Sequence, residues 1–317
     1  MPRKLIIDLD PGIGDALAVI AALCDPELDV VALTATAGCV PAHIATRNLQ
    51  TIVEQIDPAK RPRLGAAAEN GIEATGDKAE AIRQIAIMHG QSGLGDRDVN
   101  VADLHHRHDS AKMMTDLVRA NPNEYTLLTL GPLTNVEVAC ERCPDFLSLL
   151  GSLVCLGGSV AVGGDANAAA EFNMFYDPTA ARNVLTSPAT KTIVPLDVSN
   201  QVVMTFEEFN RLNLEPESAQ HVFLHDVLSY YLRAHHEHLG LEGIQLRELA
   251  ALAYITHPRY FETQRMVVDV ETRGELTRGM TVFDRRTTGQ WQTNIDVVVD
   301  VDTRGVLDYL TDVLKRV

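Results

Sequence analysis

The chain has 317 residues, 46% of them hydrophobic and 22% charged, which is enough apolar material for one large α/β domain or two small ones. A formal charge of -16 and a pI near 5.0 set the surface against nucleic-acid phosphates and anionic membranes, so the expected partner is a neutral or cationic small molecule. Five cysteines (Cys24, Cys39, Cys140, Cys143, Cys155), an odd number with no apolar leader ahead of them, predict a reduced, cytoplasmic setting, and no run approaches a membrane span.

Leu5 to Ile7 is a short β-branched apolar run that breaks into Asp8, Asp10, Pro11 and Gly12, which predicts a buried strand ending in a tight turn. Ala16, Leu17, Val19, Ile20 and Leu23 then recur at helical spacing, with Asp15 placed where a first-turn acid meets exposed backbone N–H groups. Asp10 and Asp15 are thereby expected to project into one crevice at a strand's carboxyl end, where open α/β sheets bind their ligands. Two hard carboxylates five residues apart suit a hard cation such as calcium or magnesium. The plainer alternative is that Asp15 only caps the helix while Asp8 and Asp10 are solvated loop acids.

Further strands are expected at Asp29–Thr36, Arg63–Ala67, Tyr125–Leu130, Gly151–Leu156 and Thr192–Leu196. Helices are expected at Pro41–Ile56, Ser110–Ala120, after GPLTN (Gly131–Asn135) to about Glu141, and at Pro178–Leu185. Glu69–Arg107 reads as a polar, glycine-containing region, and Phe206–Ile255 as mostly helical. Met266–Val301 shows three β segments separated by turn-like Gly274 and Gly289, and Thr303–Val317 reads as a closing helix. The alternation predicts an α/β fold: an open, mostly parallel Rossmann-like sheet flanked by helices, with a small antiparallel C-terminal appendage. No repeat or flexible linker divides residues 1–317, so a single domain is expected.

Ala161–Asn173 (AVGGDANAAAEFN) has neither periodicity and carries Asp165, Asn167, Glu171 and Asn173, as a ligand-contact loop or a plain connection would. His89, in HGQSGLG, is expected on a glycine-rich loop that either approaches a ligand or is merely solvated. The histidines of Gln220–Leu239 (His221, His225, His235, His236, His238) lack the glutamate pattern of a zinc protease and are expected mainly on an exposed helix face. Cys140 and Cys143 form a CxxC with no second pair, and the glycines at 157, 158, 163 and 164 do not match a dinucleotide fingerprint.

DLDPGIGDALA (Asp8–Ala18) resembles the N-terminal signature of the inosine-uridine-preferring nucleoside hydrolases. His89–Gly95, GPLTN, the glycine pair at 157 and 158, AEFN (Ala170–Asn173) with Asp177 and Pro178, and Val268–Arg286 resemble further family segments in the right order. The resemblance implies a calcium ion at the strand ends and cleavage of the N-glycosidic bond of a ribonucleoside to ribose and free base, as in purine or pyrimidine salvage, by a homodimer or homotetramer. It implies Asp10, Asp15 and the Leu130 carbonyl as calcium ligands, and Asp10 also as the base that deprotonates the attacking water. Glu171 and Asn173 match its ribose-binding residues. Asp165 falls where an asparagine is usual, Cys39 stands where many members have asparagine, and Asn167 shares the Glu171 loop as a further expected substrate contact.

The departures shape the expectation. Gly14 replaces the first of two adjacent aspartates, which removes a carboxylate expected to hydrogen-bond the ribose 2-hydroxyl. Arg247 and Glu248 align with a His-Asp pair that supplies a leaving-group acid and a further calcium ligand. Glu248 can still ligate on a longer stem, whereas a guanidinium gives up no proton at neutral pH. Arg247 is therefore expected to recognise a carboxylate or phosphate on an unusual ribosyl substrate, leaving His89, or no group, as the acid. Ser92 also replaces a usual aspartate. Two other readings stay open here: a binding protein that keeps the calcium pocket without turnover, and a haloacid-dehalogenase-type phosphatase with Asp8 in its nucleophile motif. The second expects Thr or Val where this chain has Gly12, and it leaves GPLTN and AEFN unexplained.

Overall fold

In a computed structural model of the chain, which describes residues 2–68, 76–97, 101, 108–212, 214, 218–286 and 292–316, the first strand is sealed on both faces. Leu5, Ile7 and Leu9 of β1 (Arg3–Leu9) pack into one apolar layer and Ile6 into the opposite one. Each such side chain, fully buried, contributes roughly 1.5–3 kcal/mol, so β1 anchors both layers. Helix α1 (Ile13–Cys24) follows, then β2 (Leu28–Ala35), α2 (Ala42–Ile56), β3 (Arg63–Ala66), α3 (Asp77–His89), β4 (His108–Asp109) and α4 (Ser110–Ala120). The alternation continues with β5 (Thr126–Thr129), α5 (Thr134–Arg142), β6 (Ser152–Leu156), α6 (Phe172–Tyr176), α7 (Pro178–Thr186) and β7 (Lys191–Val194). Then come α8 (Leu196–Ser199), β8 (Val203–Thr205), α9 (Phe206–Arg211), α10 (Ala219–Ala234), β9 (Gly243–Gln245) and α11 (Arg247–Thr256). β10 (Phe261–Val270), β11 (Thr281–Asp284), β12 (Ile295–Val301) and α12 (Thr303–Leu314) close the chain.

Ten strands form one sheet in the order β11-β10-β12-β7-β6-β5-β1-β2-β3-β4, parallel throughout from β12 to β4. β10 runs antiparallel to both β11 and β12, and β12 pairs parallel with β7, so the antiparallel tail extends the main sheet. The chain runs outward from β1 through β2, β3 and β4, then returns to β5 on the other side of β1. That reversal opens a crevice at the carboxyl ends of β1 and β5. Asp10 lies just past one end and Leu130 just past the other.

The structure departs from the sequence reading in two places. The polar region Glu69–Arg107, part of which lies outside the described residues, contains α3, and His89 is its last helical residue, buried, with Gly90 as the C-cap at φ +79°. The helix has little apolar periodicity of its own; Ala81, Ile82 and Ile85 become a packing face only because Phe172, Phe175 and Tyr176 of α6 meet them. β9 lies inside Phe206–Ile255, read as mostly helical, and pairs antiparallel with β8, just ahead of that segment, as a separate two-stranded ladder. The expected turn at Gly289 lies outside the described residues.

GPLTN fixes the sheet from its carboxyl edge. Asn135 Nδ2 donates to Asp8 Oδ1 (2.8 Å) and to the Ala35 carbonyl (2.8 Å), while Thr34 Oγ1 donates to the same Asp8 oxygen (2.6 Å). Asp8 is fully buried, and that burial raises its carboxyl to about 7. Replacing Asn135 with Ala strips a donor from this buried acid and from Ala35. The expected loss is about 1–3 kcal/mol of unfolding free energy in urea titrations; an unchanged midpoint would show that the network does not hold β1, β2 and α5 together.

Candidate active site

β1 ends because Pro11 has no N–H to offer the sheet, and the chain turns into α1 at Gly12. A Cβ on Gly12 would stand 2.8 Å from Nδ1 of His89, so the missing side chain admits the histidine. Asp15, in the first turn of α1, accepts from the Gly12 N–H through Oδ2 (3.0 Å), while its Oδ1 is buried with no hydrogen-bond partner. Asp15 therefore caps the helix with one oxygen and leaves the other free. Asp10 Oδ2 accepts from the Cys39 N–H (2.7 Å), and the Cys39 thiol donates to the Asp10 carbonyl (2.8 Å). A Cβ on Gly38 would overlap the Asp10 carboxylate, and one on Gly131 would lie 2.5 Å from its Oδ1. Both glycines are thus set by the space this acid needs.

These groups line a cavity of about 320 Å³, a volume in the range of small-molecule sites. Asp10, Asp15, Cys39, Leu130, Asp165 and Glu171 line it, as do Asn173, Arg247, Glu248 and His89. Asn167 does not: its Oδ1 accepts from the N–H groups of Ala169 and Ala170 (2.8 Å each), folding its own loop. Glu171 is the N-cap of α6, accepting from Gly158 (2.9 Å), Asn173 (3.0 Å) and Met174 (3.2 Å) backbone N–H groups. Asn173 Nδ2 donates to the carbonyls of Leu130 (2.8 Å) and Leu156 (3.2 Å), which ties the ends of β5 and β6 to α6. Asp8 is absent from the cavity wall and fully buried, so the phosphatase reading, which needs an accessible nucleophile there, is set aside.

The wall carries five acids (Asp10, Asp15, Asp165, Glu171, Glu248) and one arginine. Burial, the first cause in each case, raises the Asp10 carboxyl to about 7 and Glu171 to about 8, and pushes Asp15 and Glu248 up as well. Arg247 is ion-paired with Asp165 and donates from Nη2 to Gln245 Oε1 (2.9 Å). Its guanidinium is thus already matched to a carboxylate within an acidic wall, whereas the expectation for Arg247 was an anionic substrate group.

The opposite wall comes from α3, α10 and the π-helical turn His235–Leu239. It contains groups the sequence reading passed over: Tyr231, and His235, which is 3% exposed rather than on an open helix face. Tyr231 stands between the rings of His89 (centroids 5.2 Å apart) and His235 (4.3 Å, edge-on). Tyr231 and His235 are an i, i+4 pair, so helical spacing alone could have placed them on one face. His89 Nδ1 accepts from the Ile13 N–H (3.0 Å), which leaves the ring's proton on Nε2. Burial lowers His89 to about 3 and His235 to about 4, so both are neutral at physiological pH. His89 can donate from Nε2 but carries no imidazolium proton to give away.

A doubly wound sheet whose switch-point crevice is lined by carboxylates and aromatic rings is the frame of an enzyme for small-molecule substrates. Residues 5–308 match the model of the inosine-uridine preferring nucleoside hydrolases, and the chain belongs to that family. It is 33% identical to probable uridine nucleosidase 1 of Oryza sativa subsp. japonica over 98% of this chain and 96% of that one. It is 30% identical to the pyrimidine-specific ribonucleoside hydrolase RihA of Shigella boydii, covering 99% of both. Among solved structures, a plant nucleoside hydrolase, PpNRh1, superposes with a TM-score of 0.89 at 29% identity, covering 99% of both chains. The purine-preferring ribonucleoside hydrolase of Gardnerella vaginalis gives 0.87 at 27%, covering 99% and 98%. The protein is a hydrolase of N-glycosyl bonds that acts on nucleosides. No helix of the described residues is long and apolar enough to cross a membrane.

The family is metal-dependent, and the residues present fit a divalent cation by their chemistry. Asp15 Oδ1 and Glu248 Oε2 are buried oxygens without a hydrogen-bond partner, in one cavity with Asp10. Hard oxygens of this kind are the ligands such a cation takes. Among the described residues no three acid, histidine or cysteine side chains stand close enough together to hold a metal ion by themselves; Leu130, whose carbonyl accepts from Asn173 Nδ2, lines the same cavity.

Glu171 also makes stability depend on pH. Its folded value of about 8 lies above the ordinary 4.5, so the folded chain keeps a proton that the unfolded chain releases between those values. The contribution is present below pH 4.5 and is lost as pH rises toward 8. Glu171→Gln is expected to flatten the fall in metal-free melting temperature between pH 5 and pH 8 relative to wild type; an identical slope would contradict the assignment.

Proposed function

We propose that the chain cleaves the ribose-to-base bond of a ribonucleoside at the acidic end of this cavity, with calcium held by Asp10, Asp15, Glu248 and the Leu130 carbonyl. The observation that carries the reading is the pair of unpartnered buried oxygens, Asp15 Oδ1 and Glu248 Oε2, facing the same space as Asp10. When bound, the cation supplies Lewis acidity for the attacking water and an anchor for the ribose hydroxyls.

Asp10 is the base. Its Oδ2 is held by the Cys39 N–H, so Oδ1 is the oxygen that takes the water's proton. Glu171 and Asn173, fixed by α6, hold ribose hydroxyls, and Asp165 is kept at the rim by Arg247. The ribose passes through an oxocarbenium-like state, and charge accumulates on the departing base. Neutral His89, donating from Nε2, stabilises that charge by hydrogen bonding beside the Tyr231 ring.

The uridine and pyrimidine names of the relatives make uridine the first substrate to test. The same reading takes residues 1–317 as one unit, because the cavity draws on segments from Asp10 to Glu248 and the tail strands extend the same sheet. It places the enzyme in the cytoplasm, in keeping with five free cysteines, as a homodimer or homotetramer. Reducing-sugar release from uridine is expected with calcium present and is expected to vanish on chelation. Asp10→Asn should lower kcat by about 10²–10⁴-fold. No ribose released from any ribonucleoside in the presence of calcium would overturn the reading.

A further inference from the structure

Gly14 sits inside α1, buried, with no positive φ to call for glycine. A helix interior favours alanine over glycine, so the small residue has another cause. A Cβ at position 14 would overlap the Glu248 carboxylate, its carbon and both oxygens alike. Glu248 reaches there from the first turn of α11, which packs against α1. Its Oε2 is buried without a hydrogen-bond partner, as is Oδ1 of neighbouring Asp15.

We propose that Gly14 and Glu248 act as one unit: Glu248 supplies from α11 the carboxylate that α1 lacks at position 14, and Gly14 is the opening that admits it. One oxygen of Glu248 serves the cation, and the other faces the substrate's ribosyl hydroxyls. The inference rests on the calcium-and-ribose reading. It accounts for the glycine inside α1 and the carboxylate laid over it from α11 as a single arrangement. It also gives the wall one carboxylate where two would otherwise stand, which lessens the repulsion among buried acids.

A double-mutant cycle tests it, read by calorimetric calcium titration and by kcat/KM on uridine and its 2-deoxy counterpart. Gly14→Asp alone displaces the Glu248 carboxylate and is expected to weaken calcium binding about tenfold or more; Glu248→Asp alone, falling short of the gap, is expected to weaken it comparably. The double variant should return to within about threefold of wild type, with the preference for uridine over the deoxy substrate restored. Additive losses, or Gly14→Asp binding calcium as wild type does, would overturn the exchange. Should Gly14→Asp not fold, metal-free melting of Gly14→Ala decides. It should lower the melting temperature with Glu248 present and raise it in a Glu248→Ala background, where helix propensity acts alone. A rise in both backgrounds overturns the proposal. A wild-type chain that binds no calcium overturns the metal reading and this inference together, whereas calcium binding with additive variants overturns this inference alone.

Discussion

Several carboxylates buried side by side at the carboxyl edge of one sheet are the condition the rest of the molecule answers to. Each ionised acid loses hydration in that cleft and repels its neighbours, and the common result is a set of carboxyls raised by burial. Every element around the crevice moderates that penalty in a different way. The Cys39 N–H holds one oxygen of Asp10, the Gly12 N–H holds one of Asp15, and the first turn of α6 presents its N–H groups to Glu171. Arg247 offsets Asp165. Among the acids of the cavity wall, Asp15 Oδ1 and Glu248 Oε2 are left as fully buried oxygens without a protein partner.

The same condition explains why the glycines stand where they do. Gly14, Gly38 and Gly131 are small because carboxylates occupy the space their side chains would take, and Gly12 because His89 does. Bulk at any of these positions would move a charged or ring group of the cavity wall. The opposite wall obeys another rule: His89 and His235 are buried deeply enough to stay neutral, so hydrogen bonding, ring contact and shape act there in place of charge.

Much of this was legible in the residues. The apolar run of β1 breaking into Asp10 and Gly12 located the crevice, since a strand that stops at small and acidic residues has little else to do there, and alternating patterns sufficed for a parallel sheet. Asp165, Glu171 and Asn173 could be singled out because polar groups in a loop after a buried strand face the same edge. α3 was not legible, because its apolar face is narrow and is completed by α6. His89 looked like a loop residue for that reason. His235 looked exposed because the rest of its turn is; it alone of His235–Leu239 is buried, with its ring against Tyr231.

Local patterning by itself therefore determined the main alternation of strands and helices, the parallel sheet and the acids at the end of β1, since periodicity and turn chemistry act over a few residues, whereas Cys39, Leu130, Arg247 and Glu248 were pointed to by the family resemblance. Tertiary structure alone decided that Arg247 is matched to Asp165, that Asn167 folds its own loop, that His89 and His235 are neutral, and that Glu248 lies over Gly14. Each of these depends on which side chains meet across the sheet and how much water is excluded between them, and neither quantity is encoded in the spacing of residues along one segment.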